Sequence, residues 1–161
     1  MFLKPDYLIN GDITDIDLEE LERAGIQGLI LDLDSTLIAP KSAFISDQAA
    51  AWLDRARKKF QVAVASNNKN EVYLDKVRAM LDIRIVGKAK KPSRKAFKRL
   101  VEEFGLEAHQ IAVVGDRPLT DIWGGRRAGM KTILVGTLRT MNEPQWKTRI
   151  RNLERVFIRN D

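Results

Sequence analysis

The stretch that decides the fold is Leu29-Ile30-Leu31-Asp32-Leu33-Asp34-Ser35-Thr36-Leu37. Its apolar start is typical of a strand buried on both faces of a parallel sheet, so we predict a strand over 27–33. Two carboxylates, Asp32 and Asp34, follow where this strand ends. Burying an ionised carboxylate is costly unless it is paired, hydrogen-bonded or metal-bound, so the pair indicates a polar turn or a ligand site. Ligands of open α/β sheets bind outside the carboxyl ends of the strands, which favours the site.

Length and composition limit the classes of protein that this chain can form. Its 161 residues predict a single domain over 1–161, large enough for its own core. The chain has no cysteine, which excludes disulfides and thiolate chemistry. It has no apolar run of about 18 residues and no apolar signal segment near Met1, so we expect a cytoplasmic protein. A net charge of +6 favours an anionic partner: a phosphorylated substrate, nucleic acid or an acidic membrane surface.

Strands alternate with helices along the rest of the chain. The patterns predict strands at 62–65, 83–86, 111–114 and 132–135, and helices at 47–59, 70–81, 93–104 and from Thr120. Residues 1–25 form an arm, with an extended segment or short turn and then a short helix capped by Asp15 or Asp17. This alternation predicts an α/β fold of right-handed βαβ units, a doubly wound parallel sheet with helices on both faces, with its core at about 26–136.

Polar residues follow three of the other predicted strands. Ser66 and Asn67 come directly after 62–65, where they form an ordinary turn or an anion site. The basic loop 87–92 precedes a helix; its three lysines all face solvent, or one of them points inward. The strand 111–114 runs into Gly115-Asp116-Arg117-Pro118-Leu119-Thr120-Asp121, which again places carboxylates at a strand end.

Taken together, these motifs resemble those of the haloacid dehalogenase (HAD) superfamily of phosphotransferases. Asp32-x-Asp34-x-Thr36 is similar to its first motif, Ser66 to its second, Lys91 before Pro92 to its third, and Gly115-Asp116 with Asp121 to its fourth. The resemblance implies a three-layer, Rossmann-like sheet. An aspartate at the second position of the first motif implies a phosphatase rather than a dehalogenase.

The resemblance also implies a role for each of these residues. Asp32 would attack phosphorus and become an aspartyl-phosphate, and Asp34 would act as general acid and then general base. Mg²⁺ would be held by Asp32, Asp116 and the backbone carbonyl of Asp34, with Asp121 binding it directly or through water. The phosphoryl oxygens would be bound by Ser66, Asn67 and Lys91.

The stretches between the motifs are filled by the predicted core elements, which leaves no room for a cap domain. An open site suits a large substrate such as a protein, a nucleic acid or a membrane lipid. The chain is similar to the YqeG-type, capless subfamily IIIA phosphatases. The residues that carry this similarity are Ala39-Pro40, Lys91-Pro92 and the fourth motif. That subfamily is related to organellar phosphatidylglycerophosphate phosphatases, which implies a phosphorylated lipid substrate. The alternatives are a nucleic-acid end, a phosphoprotein, a small metabolite, or a binding module without catalysis.

The C-terminal stretch predicts a basic helix at about 143–158. Its apolar residues fall on one stripe, and arginines and lysines surround them: the stripe comprises Trp146, Ile150, Leu153 and Phe157. Such a helix lies on an anionic membrane or packs its stripe on the domain with the arginines in solvent, and we favour packing. The single histidine, His109, lies far from every motif and is predicted at the surface. The sequence leaves the oligomeric state open.

Overall fold

The protein folds as a six-stranded parallel sheet with helices on both faces. The computed structural model describes residues 3–40, 42–138, 153–155 and 158. The strands are β1 (Tyr7–Leu8), β2 (Gly28–Leu31), β3 (Gln61–Ala65), β4 (Arg84–Val86), β5 (Ile111–Gly115) and β6 (Lys131–Leu134), in the spatial order β1-β6-β5-β2-β3-β4. The helices are α1 (Leu18–Arg23), α2 (Asp47–Lys59), α3 (Glu71–Leu81), α4 (Lys95–Phe104) and α5 (Trp123–Arg127). The predicted doubly wound parallel fold is confirmed.

β2 lies at the centre of the sheet because it pairs with β3 on one side and β5 on the other. Leu29 and Leu31 face one core layer and Ile30 faces the other, as the alternation of side chains along a strand requires. All four residues of β2 are buried. The first layer includes Trp52 of α2, and the second includes Phe97 of α4.

Local sequence signals set the helix ends. Ser46 caps α2 by accepting a hydrogen bond from the Ala49 N–H. Asp17, one of the two predicted candidates, caps α1 in the same way. α4 begins at Lys95, two residues later than predicted, because the chain at Ser93 turns back to bond the Lys90 carbonyl.

Two parts of the chain differ from their predicted form. The N-terminal arm supplies the short edge strand β1, which pairs with β6. After β5, Pro118–Ile122 form a π-helical turn before α5, so the helix does not begin at Thr120. The wider turn is closed by a hydrogen bond from the Trp123 backbone N–H to the Pro118 carbonyl, and it places the Asp121 side chain against Gly115 of β5.

The glycines after this turn allow close packing of α5. A Cβ at Gly124 would lie 2.9 Å from the Phe97 ring of α4. A Cβ at Gly125 would collide with Val113 of β5. α5 therefore approaches the sheet more closely than a helix with side chains at these positions could.

The carboxyl ends of the parallel strands share one edge of the sheet, which we call the carboxyl edge. Within the described ranges no further domain covers this edge, which confirms the capless prediction. The described helices include none with both the length and the apolar character needed to cross a bilayer. His109 is exposed, as predicted.

Most of the predicted tail helix lies outside the described residues. Leu153, Glu154 and Arg155 are described, and they are helical. Leu153 is the one described residue of the apolar stripe, and it is 61% exposed rather than packed on the domain, whereas Glu154 is buried. Arg155 is not held in solvent, because its guanidinium donates to the carbonyls of Asp116 and Val135. Polar contacts with strand ends, rather than apolar packing, hold this part of the tail.

Candidate active site

Lys91 brings the first, third and fourth motifs together. Its Nζ donates to Asp32 Oδ1 at 2.8 Å and to Asp121 Oδ1 at 2.7 Å. The Lys91 side chain is 2% exposed, whereas its neighbours Lys88 and Lys90 are exposed. One lysine of the basic loop therefore points inward, as the sharper of the two hypotheses predicted.

Three carboxylates converge at this point of the carboxyl edge. Asp32, Asp116 and Asp121 each place one oxygen so that the three oxygens lie within 4.8 Å of one another. Asp116 and Asp121 are buried, and Asp32 is 14% exposed. Holding negative charges this close costs free energy, which a bound divalent cation would offset. Oxygen ligands at one open edge also suit a hard ion such as Mg²⁺, so the residues present fit that metal.

Burial sets the protonation of the innermost pair. Desolvation, followed by the charge of Asp32, raises the pKa of Asp121, Lys91 opposes both, and the net pKa is about 6. Burial alone would lower the pKa of Lys91, but the charges of Asp121 and Asp32 outweigh burial and raise it. Lys91 therefore stays positively charged. The charge of Asp121 depends on the balance between Asp32, which favours its protonated form, and Lys91, which favours its ionised form.

Glycine at position 115 makes room for Asp121. A Cβ at Gly115 would collide with the Asp121 carboxylate. The backbone N–H of Arg117 donates to Asp121 Oδ2 at 3.3 Å, so the π-helical turn also orients this side chain. The Gly115-Asp116 pair and Asp121 thus act as one structural unit.

The Asp34 carboxylate is held by donors from α3 and from the turn after β3. Its Oδ1 accepts a hydrogen bond from the Tyr73 hydroxyl at 2.8 Å, and its Oδ2 accepts one from the Asn68 amide at 3.1 Å. Burial, followed by the bond to Asp34, raises the pKa of Tyr73, so the phenol stays a donor. Asp34 is not among the three clustered carboxylates, which agrees with a metal contact through its backbone carbonyl only.

Of the two predicted phosphate-binding residues after β3, Asn67 contacts Lys91. Ser66 is buried, and its hydroxyl oxygen accepts from the Asn68 N–H at 3.1 Å. The Asn67 amide makes two bonds with the backbone of Lys91: its oxygen accepts from the N–H at 2.7 Å and its nitrogen donates to the carbonyl at 3.2 Å. Asn67 thereby fixes the backbone from which the Lys91 side chain reaches Asp32.

Several contacts at the site were not predicted from the sequence. Thr36, part of the first motif but given no role, donates to Asp32 Oδ2 at 3.2 Å and to Asp116 Oδ1 at 3.3 Å. Thr137 donates to Asp116 Oδ2 at 3.1 Å. Its place just after β6, at the carboxyl edge, was the available signal. No local pattern marked Tyr73, because the rotation of α3 against the sheet decides where its side chain points.

The C-terminal segment also contacts the fourth motif. Arg117 Nη2 donates to Glu154 Oε1 at 2.8 Å, and the Glu154 side chain is 3% exposed. Arg155 Nη2 lies 2.9 Å from the Asp116 carbonyl. The backbone around Asp116 is thus supported from the tail as well as from the sheet.

An open surface groove is lined by the two residues that donate to Asp34. Its volume is about 750 Å³, and the two donors are Asn68 and Tyr73. Lys69, Val72 and Lys76 line the same groove. A substrate in this groove would therefore lie next to the side chain that is predicted to protonate a leaving group.

Known proteins with similar sequences are phosphatases. The family model described as HAD-hydrolase-like matches residues 88–151. Probable phosphatase YqeG of Bacillus subtilis is 35% identical over 135 residues, which cover 83% of this chain and 77% of that protein. Phosphatidylglycerophosphate phosphatase 1, chloroplastic/mitochondrial, of Arabidopsis thaliana is 33% identical over 92% of this chain; the chain spans only 45% of that protein.

A solved structure shows the same fold. An uncharacterized protein from Listeria monocytogenes serotype 4b matches with a TM-score of 0.59 and 19% identity, over 74% of this chain and 85% of that one. The motifs at the carboxyl edge and the extended match to YqeG agree with this fold. The chain therefore belongs to the HAD-like hydrolases, as a phosphatase of the family that includes YqeG of Bacillus subtilis.

Proposed function

We propose that this phosphatase hydrolyses phosphatidylglycerophosphate to phosphatidylglycerol through an aspartyl-phosphate on Asp32, with Mg²⁺ as cofactor. The observation that carries the catalytic part is the convergence of Asp32, Asp116 and Asp121 around the buried ammonium of Lys91. These groups match what phosphate monoester hydrolysis needs, namely a nucleophile, cation ligands and a fixed positive charge.

In the first step a carboxylate oxygen of Asp32 attacks phosphorus, and the bond from phosphorus to the alcohol oxygen breaks. Lys91 on Oδ1 and Thr36 on Oδ2 orient this carboxylate. Asp34, acting as general acid, gives a proton to the departing alcohol. The Tyr73 and Asn68 hydrogen bonds hold the Asp34 side chain beside the groove in which that alcohol would lie.

In the second step water attacks the phosphorus of the aspartyl-phosphate, and Asp34 takes the water's proton. The acyl-phosphate bond breaks, which releases inorganic phosphate and restores Asp32. Ser66 can donate its O–H to a phosphoryl oxygen because its own oxygen accepts from the Asn68 N–H. Lys91, held in place by Asn67, can donate to another phosphoryl oxygen.

Asp32, Asp116, Asp121 and the backbone carbonyl of Asp34 are the groups that would hold Mg²⁺. When bound, the ion supplies positive charge that reduces the repulsion between the anionic substrate and the carboxylates. Thr36 and Thr137 fix the Asp116 carboxylate by donating to its two oxygens. This support places the carboxylate before any cation arrives.

The lipid substrate is supported by similarity and by the shape of the site. Relatives from Arabidopsis thaliana and Chlamydomonas reinhardtii are named phosphatidylglycerophosphate phosphatase 1, at 33% and 30% identity over 92% and 94% of this chain. The described part of the fold leaves the carboxyl edge uncapped. An uncapped edge lets a large lipid headgroup reach Asp32 while its acyl chains stay outside the protein.

The test is Mg²⁺-dependent phosphate release from phosphatidylglycerophosphate in anionic vesicles, run beside p-nitrophenyl phosphate. Wild type, Asp32→Asn and the surface control Asp54→Asn are compared. We expect the first variant to lose both activities and the control to keep them. Release from p-nitrophenyl phosphate alone would overturn the lipid substrate and keep the catalytic roles. Release from neither would favour a binding module.

A further inference from the structure

The groove beside Asp34 has a composition suited to an anionic amphiphile. Two exposed lysines, Lys69 and Lys76, line it with the exposed side chain of Val72. Neither lysine forms an ion pair with a carboxylate of the described chain. Their charges are therefore available to a ligand in the groove.

The acidic residues of α3 do not neutralise these lysines. Glu71 and Asp75 both pair with Arg78, at 3.1 and 2.8 Å. Arg78 thus neutralises these two carboxylates, which do not pair with the lysines of the groove. The groove side of α3 keeps a positive character next to the catalytic carboxylates.

Exposed apolar side chains flank the same groove. Val72 is 69% exposed and Phe44, next to the groove residue Ala43, is 66% exposed. The loop that carries Phe44 is ordered by the Ser42 hydroxyl, which donates to the Ala39 carbonyl at 2.7 Å and accepts from the Phe44 N–H at 3.2 Å. The ordered loop holds Phe44 in solvent, and the first turn of α3 does the same for Val72. Large apolar side chains held in solvent in this way indicate a surface that contacts an apolar phase.

We propose that this groove is the leaving-group subsite, in which Lys69 and Lys76 bind a phosphodiester while Phe44 and Val72 contact the acyl region of a lipid bilayer. The inference rests on the proposed function, since it takes the substrate to be a lipid whose terminal phosphomonoester is hydrolysed at Asp32. Asn68 and Tyr73, which hold the proposed general acid Asp34, line the groove, so the leaving alcohol would lie on this side of the site. The phosphodiester lies on that side of the scissile bond.

A nucleic-acid end also carries a phosphodiester next to a terminal phosphate, but the groove favours the lipid. Binding of single strands relies on aromatic side chains that stack successive bases. Phe44 is the one exposed large aromatic side chain flanking the groove among the described residues, and Val72 offers an aliphatic surface. Lysines beside projecting apolar groups are the pattern of an interfacial membrane contact.

The test uses four substrates: phosphatidylglycerophosphate in anionic vesicles, its deacylated water-soluble headgroup, p-nitrophenyl phosphate and a 5′-phosphorylated oligonucleotide. Lys69→Gln/Lys76→Gln should raise KM about tenfold for the vesicle lipid and the headgroup, and leave p-nitrophenyl phosphate unchanged. Phe44→Ser and Val72→Ser should raise KM for the vesicle lipid alone. Lys58→Gln on α2 and Met80→Ser at the far end of α3 are the matched controls.

The outcomes separate this inference from the proposed function. The subsite is overturned if the lysine double variant has unchanged KM values, or if its KM for p-nitrophenyl phosphate rises as much as its KM for the lipid. In either case the lipid phosphatase stands, provided that wild type hydrolyses the vesicle lipid. If wild type hydrolyses p-nitrophenyl phosphate and neither lipid compound, both proposals fail together. A KM effect seen with the oligonucleotide and absent with the headgroup would overturn the lipid assignment of the groove.

Discussion

The Lys91 ammonium lies 2.8 Å from Asp32 Oδ1, although 59 positions separate the two residues in the chain. The same ammonium reaches Asp121 at 2.7 Å. One buried cation thus joins the end of β2, the π-helical turn after β5 and the loop after β4. Since buried charges need partners, this ion network affects the stability of the fold as well as the site.

Lys91→Met removes the cation and keeps much of the side-chain volume. In EDTA we expect the free energy of unfolding to fall by about 3–5 kcal/mol, because Asp32 and Asp121 lose their buried counter-charge. Urea unfolding measures the effect, and Lys90→Met, at the exposed neighbour, is the control. The double variant Lys91→Met/Asp121→Asn should recover part of the loss. Equal stability of Lys91→Met and the control would contradict this account.

The raised pKa of Asp121 predicts how the stability of the metal-free protein varies with pH. The pKa is about 6 in the fold against an ordinary value of 3.8, so the folded state binds this proton more tightly than the unfolded state. The stability gained by protonation is therefore present at low pH and lost as pH rises through about 6.

The measurement is the free energy of unfolding in EDTA from about pH 4 to about pH 7. Asp121→Asn removes the titrating group, so the free energy of unfolding of wild type minus that of the variant isolates the contribution of Asp121. We expect this difference to fall as pH rises, because wild type loses stability relative to the variant. A difference that stays constant, or that moves in favour of wild type, would show that Asp121 does not titrate in this range.

Tyr73→Phe removes the hydroxyl that holds Asp34 Oδ1. We expect kcat for p-nitrophenyl phosphate to fall about tenfold with little change in KM, because Asp34 loses one of the two hydrogen bonds that orient it. Tyr7→Phe makes the same change in the edge strand β1 and should have no effect. A rise in KM with unchanged kcat would instead place Tyr73 in substrate binding.

The Thr36 hydroxyl bridges two of the clustered carboxylates, so its loss should loosen the cation site. Thr36→Val keeps the shape of the side chain and removes the donor to Asp32 and Asp116. We expect weaker Mg²⁺ binding by calorimetry, by about tenfold. Thr36→Ser, which keeps the hydroxyl, should bind nearly as well as wild type. Equal Mg²⁺ affinity in all three proteins would exclude this role.

Much of the fold and the grouping of the site followed from the sequence. In a parallel sheet, the polar residues that follow the apolar strands all lie at the carboxyl edge. Asp32, Asp116 and Lys91 therefore come together there independently of how the helices pack. Local caps such as Ser46 set helix ends through contacts a few residues apart. The catalytic and binding roles of the site residues stay predictions that the experiments above address.

Contacts that depend on tertiary docking could not be predicted. Tyr73 reaches Asp34 because of the rotation of α3, which no local pattern records. The π-helical turn that orients Asp121 differs from an α-helical start by one extra residue in the turn. In the tail, periodicity favoured burial of Leu153, but Arg155 bonds two carbonyls at strand ends and leaves Leu153 exposed.

The most direct test of the account is to locate the phosphoryl group during turnover. p-Nitrophenyl phosphate has a good leaving group, so Asp34→Asn should still allow attack by Asp32 but slow the hydrolysis that needs a general base. After an acid quench in the presence of Mg²⁺, peptide mass spectrometry should find phosphate on Asp32, enriched in Asp34→Asn and absent from Asp32→Asn. Phosphate on another residue, or phosphate release that persists in Asp32→Asn, would contradict the account.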